Sequence, residues 1–129
     1  MPITEHGDIM RKNLIPISSD LKEKIARFQL PESLAFGKTL APIMAQSEYA
    51  VSFKDIELLP YGPITLDPSA KVLHYSQQIF EGMKAYKVND KVLYFRPDAH
   101  WQRMRRSAER MFLPLIPENI FFDAIYNMA

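Results

Sequence analysis

The sequence predicts an α+β domain in which an antiparallel sheet carries helices packed against it. Three observations lead there. Apolar and polar residues alternate with a period of two in the middle of the chain, where Tyr49, Val51 and Phe53 are interleaved with Ala50 and Ser52. Short turn signals at Pro60-Tyr61-Gly62-Pro63, Asp67-Pro68-Ser69 and Asn89-Asp90 separate the candidate strands by only a few residues, which suits antiparallel pairing. After Pro97 the period changes to that of a helix. Trp101, Met104, Ala108 and Met111, with Phe112 adjoining, fall on one stripe, and Arg103, Arg106 and Arg110 on another.

Taken in order, residues 1–20 are polar and irregular, with Pro2 and Pro16 opposing regular structure. Ser18-Ser19-Asp20 offers an N-cap for a short helix from Leu21 to Phe28 that Pro31 ends. That helix is expected to be peripheral and the first dozen residues mobile, so residues 1–30 read as an N-terminal extension and 31–129 as the domain. Phe36-Gly37-Lys38-Thr39 reads as a turn. It is not a phosphate-binding loop, because position 32 is Glu rather than Gly and Pro42 interrupts any following helix. On its own, Phe36 reads as core.

Strands are expected at Tyr49–Phe53, Ile56–Leu59 and Ile64–Leu66, and a strand-rich stretch from Leu73 to Phe95. The last part of that stretch is a hairpin. Met83–Lys87 and Val92–Phe95 flank Val88-Asn89-Asp90-Lys91, and Asn-Asp tolerates the positive φ of a tight turn. Asp98 is the expected N-cap of the arginine-bearing helix, with Pro97 just outside it. Pro114 and Pro117 bound a linker, and a second helix follows with Ile120, Phe121, Ala124, Ile125 and Met128 at helical spacing. That pattern is still running at Ala129, which reads as a chain cut inside an element.

Composition narrows the classes of function. A net charge of +1 gives no overall field toward nucleic acid or membranes. The N-terminus lacks a continuous apolar region of the signal-peptide kind. No apolar run approaches the ~20 residues needed to span a bilayer, so a cytoplasmic location is expected. The absence of cysteine excludes disulfides, thiolate nucleophiles and Cys-ligated metal. His6, His74 and His100 lack the paired spacing of metal ligands.

The arginine stripe is the first chemical candidate, because a guanidinium offers two parallel donors to a phosphate or carboxylate and stays charged at any working pH. The plainer reading is a solvated basic face paired with Glu109 and other acids. Tyr75 and Phe80 form the second candidate. A tyrosine near a strand end can donate to a ligand carboxylate while its ring contacts an apolar group, though ordinary sheet aromatics look the same. No paired carboxylates or Ser-His-Asp arrangement stand out, and nothing marks a lysine, Lys84 included, as a Schiff-base former. Composition and pattern alone stop at an α+β domain with a candidate anion site.

The wording of two segments goes further. LHYSQQIFEGMKAY followed by FRPDAHWQRMRRSAERM resembles the small N-terminal domain of branched-chain amino-acid aminotransferases, which are fold-type IV pyridoxal-phosphate enzymes. LAFGKT and ITLDPSAKVLHY match the same family upstream, so the resemblance runs from about residue 32 to 116. It implies the fold-type IV small domain and a pyridoxal 5'-phosphate cofactor whose phosphate Arg103 binds. It also implies that Tyr75 reaches toward the substrate carboxylate and that Phe36 and Phe80 wall the branched side-chain pocket. The Schiff-base lysine and the acid on the pyridine nitrogen would belong to a large C-terminal domain beyond Ala129, so no catalytic residue is expected in this chain. Its partners would be branched-chain amino acids, 2-oxo acids, that large domain and, through an exposed apolar face, another copy. Two readings stay open beside it: a sibling fold-type IV enzyme such as D-amino-acid transaminase or aminodeoxychorismate lyase, and a non-catalytic binding module.

Overall fold

Ser18 sits in extended backbone (φ −62°, ψ 160°) and its Oγ accepts a hydrogen bond from the Leu21 amide at 3.3 Å, which starts the first helix, α1, Ser19–Arg27. Asp20 in its first turn and Lys24 and Arg27 in its last complement the helix dipole. The computed structural model describes residues 14–129; the expectation of mobility at the extreme N-terminus, and His6, lie outside them. The chain continues through β1 (Ile43–Gln46), β2 (Glu57–Pro60), α2 (Lys71–Tyr75), β3 (Ala85–Val88), β4 (Lys91–Tyr94), α3 (Pro97–Arg110) and α4 (Glu118–Asn127).

The α+β class holds, with helices laid on small antiparallel sheets, but the strands form two separate two-stranded ladders instead of one sheet. In the first, Ile43 faces Pro60 and Ala45 faces Leu58. In the second, Ala85 faces Tyr94 and Val88 faces Lys91, with Asn89 at φ 54° in the turn, which is the hairpin the Asn-Asp pair foretold.

Leu21, Ile43 and Leu58 are buried together, and Ile15, Ile17, Ala45, Ile56 and Met128 pack around them. The helix expected to be peripheral is therefore part of the core. Its polar outer face concealed one residue, Leu21, that is only 4% exposed. The Ile15 amide donates to Asn127 Oδ1 at 3.0 Å, tying the segment before α1 to the end of α4.

A second apolar group joins α4 to the hairpin and to α3. Ile120, Phe121 and Phe122 are buried on α4. The Phe122 ring lies 6.3 Å from that of Trp101 and 5.7 Å from that of Tyr126, whose ring packs edge-on against Tyr94 at 5.3 Å. The Tyr94 hydroxyl donates to the Ile125 carbonyl at 3.1 Å. Trp101 also donates its indole N–H to the Ile116 carbonyl at 3.0 Å, which fixes the linker between α3 and α4.

Several local expectations are corrected. Tyr49–Phe53 forms one isolated bridge, Tyr49 to Phe53, and no strand, and residues 64–66 are not a strand. Leu73 to Tyr75 lie in the short helix α2, which Ser76 ends in the left-handed region at φ 51°; a period-two reading of five residues could not separate strand from a single helical turn. Pro97 is the first residue of α3 rather than its predecessor, and the N-cap is Arg96 at φ 49°, not Asp98, which sits in the first turn. On the apolar stripe of α3 Ala108 is buried, but Met111 is partly exposed and Phe112 is 92% exposed, because α3 ends at Arg110.

Candidate functional site

The flank of α3 carries a polar cluster built from two elements. His100 and Arg103 stand one helical turn apart on α3, on a common side. Opposite them runs the irregular segment 76–84, held to the helix at one end by Gln77, whose Nε2 donates to the Met111 carbonyl at 2.6 Å. At its other end Glu81 turns its carboxylate onto both α3 side chains. Arg103 Nε donates to Glu81 Oε2 at 2.7 Å and Arg103 Nη2 donates to Oε1, a bidentate pairing. His100 Nδ1 lies 2.8 Å from the same Oε1.

Burial is uneven across the cluster. The Glu81 side chain is 6% exposed, His100 20% and Arg103 57%, so the carboxylate faces the protein and the guanidinium faces solvent. On its inner side Glu81 borders a cleft of about 440 Å³ whose walls include Met83, Met104, Ile116, Ile120 and Phe121. Such surroundings oppose a charged carboxylate. The Arg103 hydrogen bonds outweigh them, with His100 assisting, and hold the Glu81 carboxyl down to about 2 from its ordinary 4.5. Glu81 is thus an anion at any physiological pH, and Arg103 is a cation with one edge engaged and the other open.

The remaining arginines behave differently. Arg105 lies 5.2 Å over the Trp101 ring and donates to the Ile116 carbonyl at 3.2 Å, so it is a structural side chain. Arg106 and Arg110 are exposed and make no ion pair among the described residues. Glu109, the expected acid on the helix itself, is not the partner of Arg103; Glu81 is.

The aromatic candidates are placed but not gathered. Phe36 is 94% exposed in the turn at Gly37, Tyr75 is 78% exposed at the end of α2, and Phe80 is 77% exposed directly before Glu81. Among the described residues no ring contact joins the three to each other; Tyr75 has only the His74 ring nearby, at 6.4 Å. Each leaves a large apolar face in water, the kind of surface that a ligand or a further protein surface covers. Among the described residues no three His, Asp or Glu side chains cluster as a metal site, and no helix is long and apolar enough to cross a membrane.

Sequence reasoning passed over Glu81 and His100. Glu81 stands between an aromatic and a glycine in the sequence, with no charge pattern to single it out. Only the fold of segment 76–84 against α3 reveals its partner.

One arginine of this α+β domain is thus anchored from behind by an enclosed carboxylate and open in front. No protein-family model matches the chain. The chain is similar over most of its length to curated branched-chain-amino-acid aminotransferases. It is 42% identical over 102 residues to branched-chain-amino-acid transaminase 1 of Bacillus subtilis, covering 77% of this chain and 29% of the relative. It is 44% identical over 96 residues to the branched-chain-amino-acid aminotransferase of Mycolicibacterium smegmatis, covering 72% and 26%. A probable branched-chain-amino-acid aminotransferase of Staphylococcus aureus is 32% identical over 115 residues, covering 88% and 32%. The chain therefore spans less than a third of the length of these relatives.

Proposed function

We propose that this chain is the small N-terminal domain of a pyridoxal-phosphate-dependent branched-chain amino-acid aminotransferase, a transaminase that moves the amino group of leucine, isoleucine or valine to 2-oxoglutarate. The activity for which the relatives are named supports the reaction class, and the single structural observation that carries the site is the Arg103 guanidinium, fixed on one edge and open on the other. In this reading residues 31–129 carry the small domain, α1 of the preceding segment packs into its core, and the assembled enzyme works in the cytoplasm as a homo-oligomer.

Arg103 suits the cofactor because its donor set is what a phosphate needs: a permanent cation with N–H groups directed at solvent. The bound cofactor would supply an electron sink for the amino-acid Cα. This chain's own contribution is recognition. Arg103 holds the phosphate, Tyr75 presents its hydroxyl to the substrate carboxylate, and Phe36 and Phe80 form the apolar wall for the branched side chain. Such a wall discriminates by shape, with one methylene worth about 1–3 kcal/mol. The exposure of all three rings supports a site that closes only when a second, larger domain covers them. That domain supplies the lysine that holds the cofactor, so the chain by itself lacks the covalent machinery.

A spectroscopic titration tests this. Pyridoxal phosphate added to the chain should give no stable protein-bound chromophore and no transfer from leucine to 2-oxoglutarate. A stable chromophore with turnover would refute the reading.

A further inference from the structure

We infer that Glu81, seconded by His100, is a positioning residue for Arg103: it fixes the guanidinium so that its Nη1 edge is held outward for a phosphate. The inference deepens the proposed function and rests on the reading of Arg103 as the phosphate ligand.

The geometry carries it. Glu81 engages Nε and Nη2, one side of the guanidinium fork. Among the described residues Nη1 has no hydrogen-bond partner, so both of its N–H groups remain for an anion arriving from solvent. His100 Nδ1 approaches both Glu81 Oε1, at 2.8 Å, and Arg103 Nη2, at 3.2 Å, which closes a three-membered cluster and leaves neither partner free to swing.

The same ion pair could instead be a plug, a carboxylate standing where the phosphate must go. Burial argues against that. A plug sits on the solvent side and leaves when displaced, whereas Glu81 is the enclosed member, 6% exposed, and Arg103 the open one, 57% exposed. Moving Glu81 away from Arg103 would leave an unpaired carboxylate beside the apolar walls of Met83, Met104 and Phe121. Segment 76–84 also restrains it. A Cβ at Gly82 would lie 3.3 Å from the Phe80 ring, so that ring folds back over the residue following Glu81. Its low carboxyl pKa agrees with a permanent anchor. Holding one long, rotamer-rich side chain in its binding geometry beforehand is worth about five- to tenfold in affinity.

The test is a nitrogen–proton NMR titration of the chain with pyridoxine 5'-phosphate, which keeps the ring and phosphate but lacks the aldehyde that reacts with lysines. In the parent chain the Arg103 Nε–H signal should be protected from exchange, and binding should shift it. Glu81→Gln should lose that protection and bind about five- to tenfold more weakly, Glu81→Asp should recover part of the loss, and Arg103→Met should abolish binding. If Arg103→Met weakens binding while Glu81→Gln binds as tightly as the parent or tighter, the positioning role is overturned and the phosphate reading survives. Binding unaffected by Arg103→Met overturns both. Should Glu81→Gln fail to fold by circular dichroism, His100→Gln decides: about twofold weaker binding with reduced Nε–H protection is expected, and no change in either overturns the inference.

Discussion

Replacing Glu81 by glutamine should flatten the acid limb of the protein's stability curve. The folded carboxyl sits near 2 and its ordinary value is 4.5. A carboxyl whose folded pKa is depressed stabilises the fold above its unfolded value, and that stability disappears as pH falls from about 4.5 toward about 2. The full linkage would be about 3 kcal/mol, at about 1.4 kcal/mol per pH unit. Arg103 is 57% exposed, and water screens it, so about 1–2 kcal/mol is the working figure. Roughly half of that should already be gone at pH 3. Urea denaturation at pH 6.5 and pH 3 gives both values by linear extrapolation. Between those two pH values the parent chain should lose about 0.5–1 kcal/mol more than Glu81→Gln does. Parallel losses in the two proteins would show that the ion pair contributes nothing to folding, and the account of the site would fail at its base.

Three further outcomes follow from the fold. Leu21→Ala should destabilise by about 2–4 kcal/mol in urea, because Leu21 is buried against Ile43 and Leu58; a loss under about 0.5 kcal/mol would return α1 to the surface. Phe112 takes φ 53° just past α3, its amide bonding the Glu109 carbonyl and the next amide the Ala108 carbonyl, a helix end that favours glycine. Phe112→Gly should therefore raise stability by about 1 kcal/mol, read as a melting temperature higher by about 4 °C, and an unchanged or lower value would contradict the assignment. The exposed rings of Phe36, Tyr75 and Phe80 leave apolar surface without cover. Light scattering should find the isolated chain self-associating; a strict monomer at high concentration would count against that.

The hairpin, α3 and α4 were legible because each had a local signal: Asn89 for the turn, and a 3.6-residue apolar period for the helices. What failed was short and contextual. Five residues at Lys71–Tyr75 do not carry a period, and Leu21 is the buried residue of a largely exposed helix, its burial set by strands more than twenty positions away. The candidate site divides the same way. The stripe of arginines left a solvated basic face and an anion site open, and only the resemblance singled out Arg103 as the expected phosphate ligand. Glu81 is 22 residues from Arg103 in the chain, and only tertiary structure joins them. Segment 76–84, part of a stretch read as strand-rich, is irregular, and that irregularity lets Glu81 turn back onto α3.

The role proposed for this chain is to provide the phosphate-holding arginine of an aminotransferase whose covalent chemistry lies in a second domain. Its most direct test is a leucine-to-2-oxoglutarate amino-transfer assay on the chain alone and on a hybrid in which it replaces the matching segment of Bacillus subtilis transaminase 1. The chain alone should show no turnover, the hybrid should turn over, and the hybrid carrying Arg103→Met should need more cofactor. Turnover by the chain alone, or a folded and cofactor-loaded hybrid without activity, would contradict it.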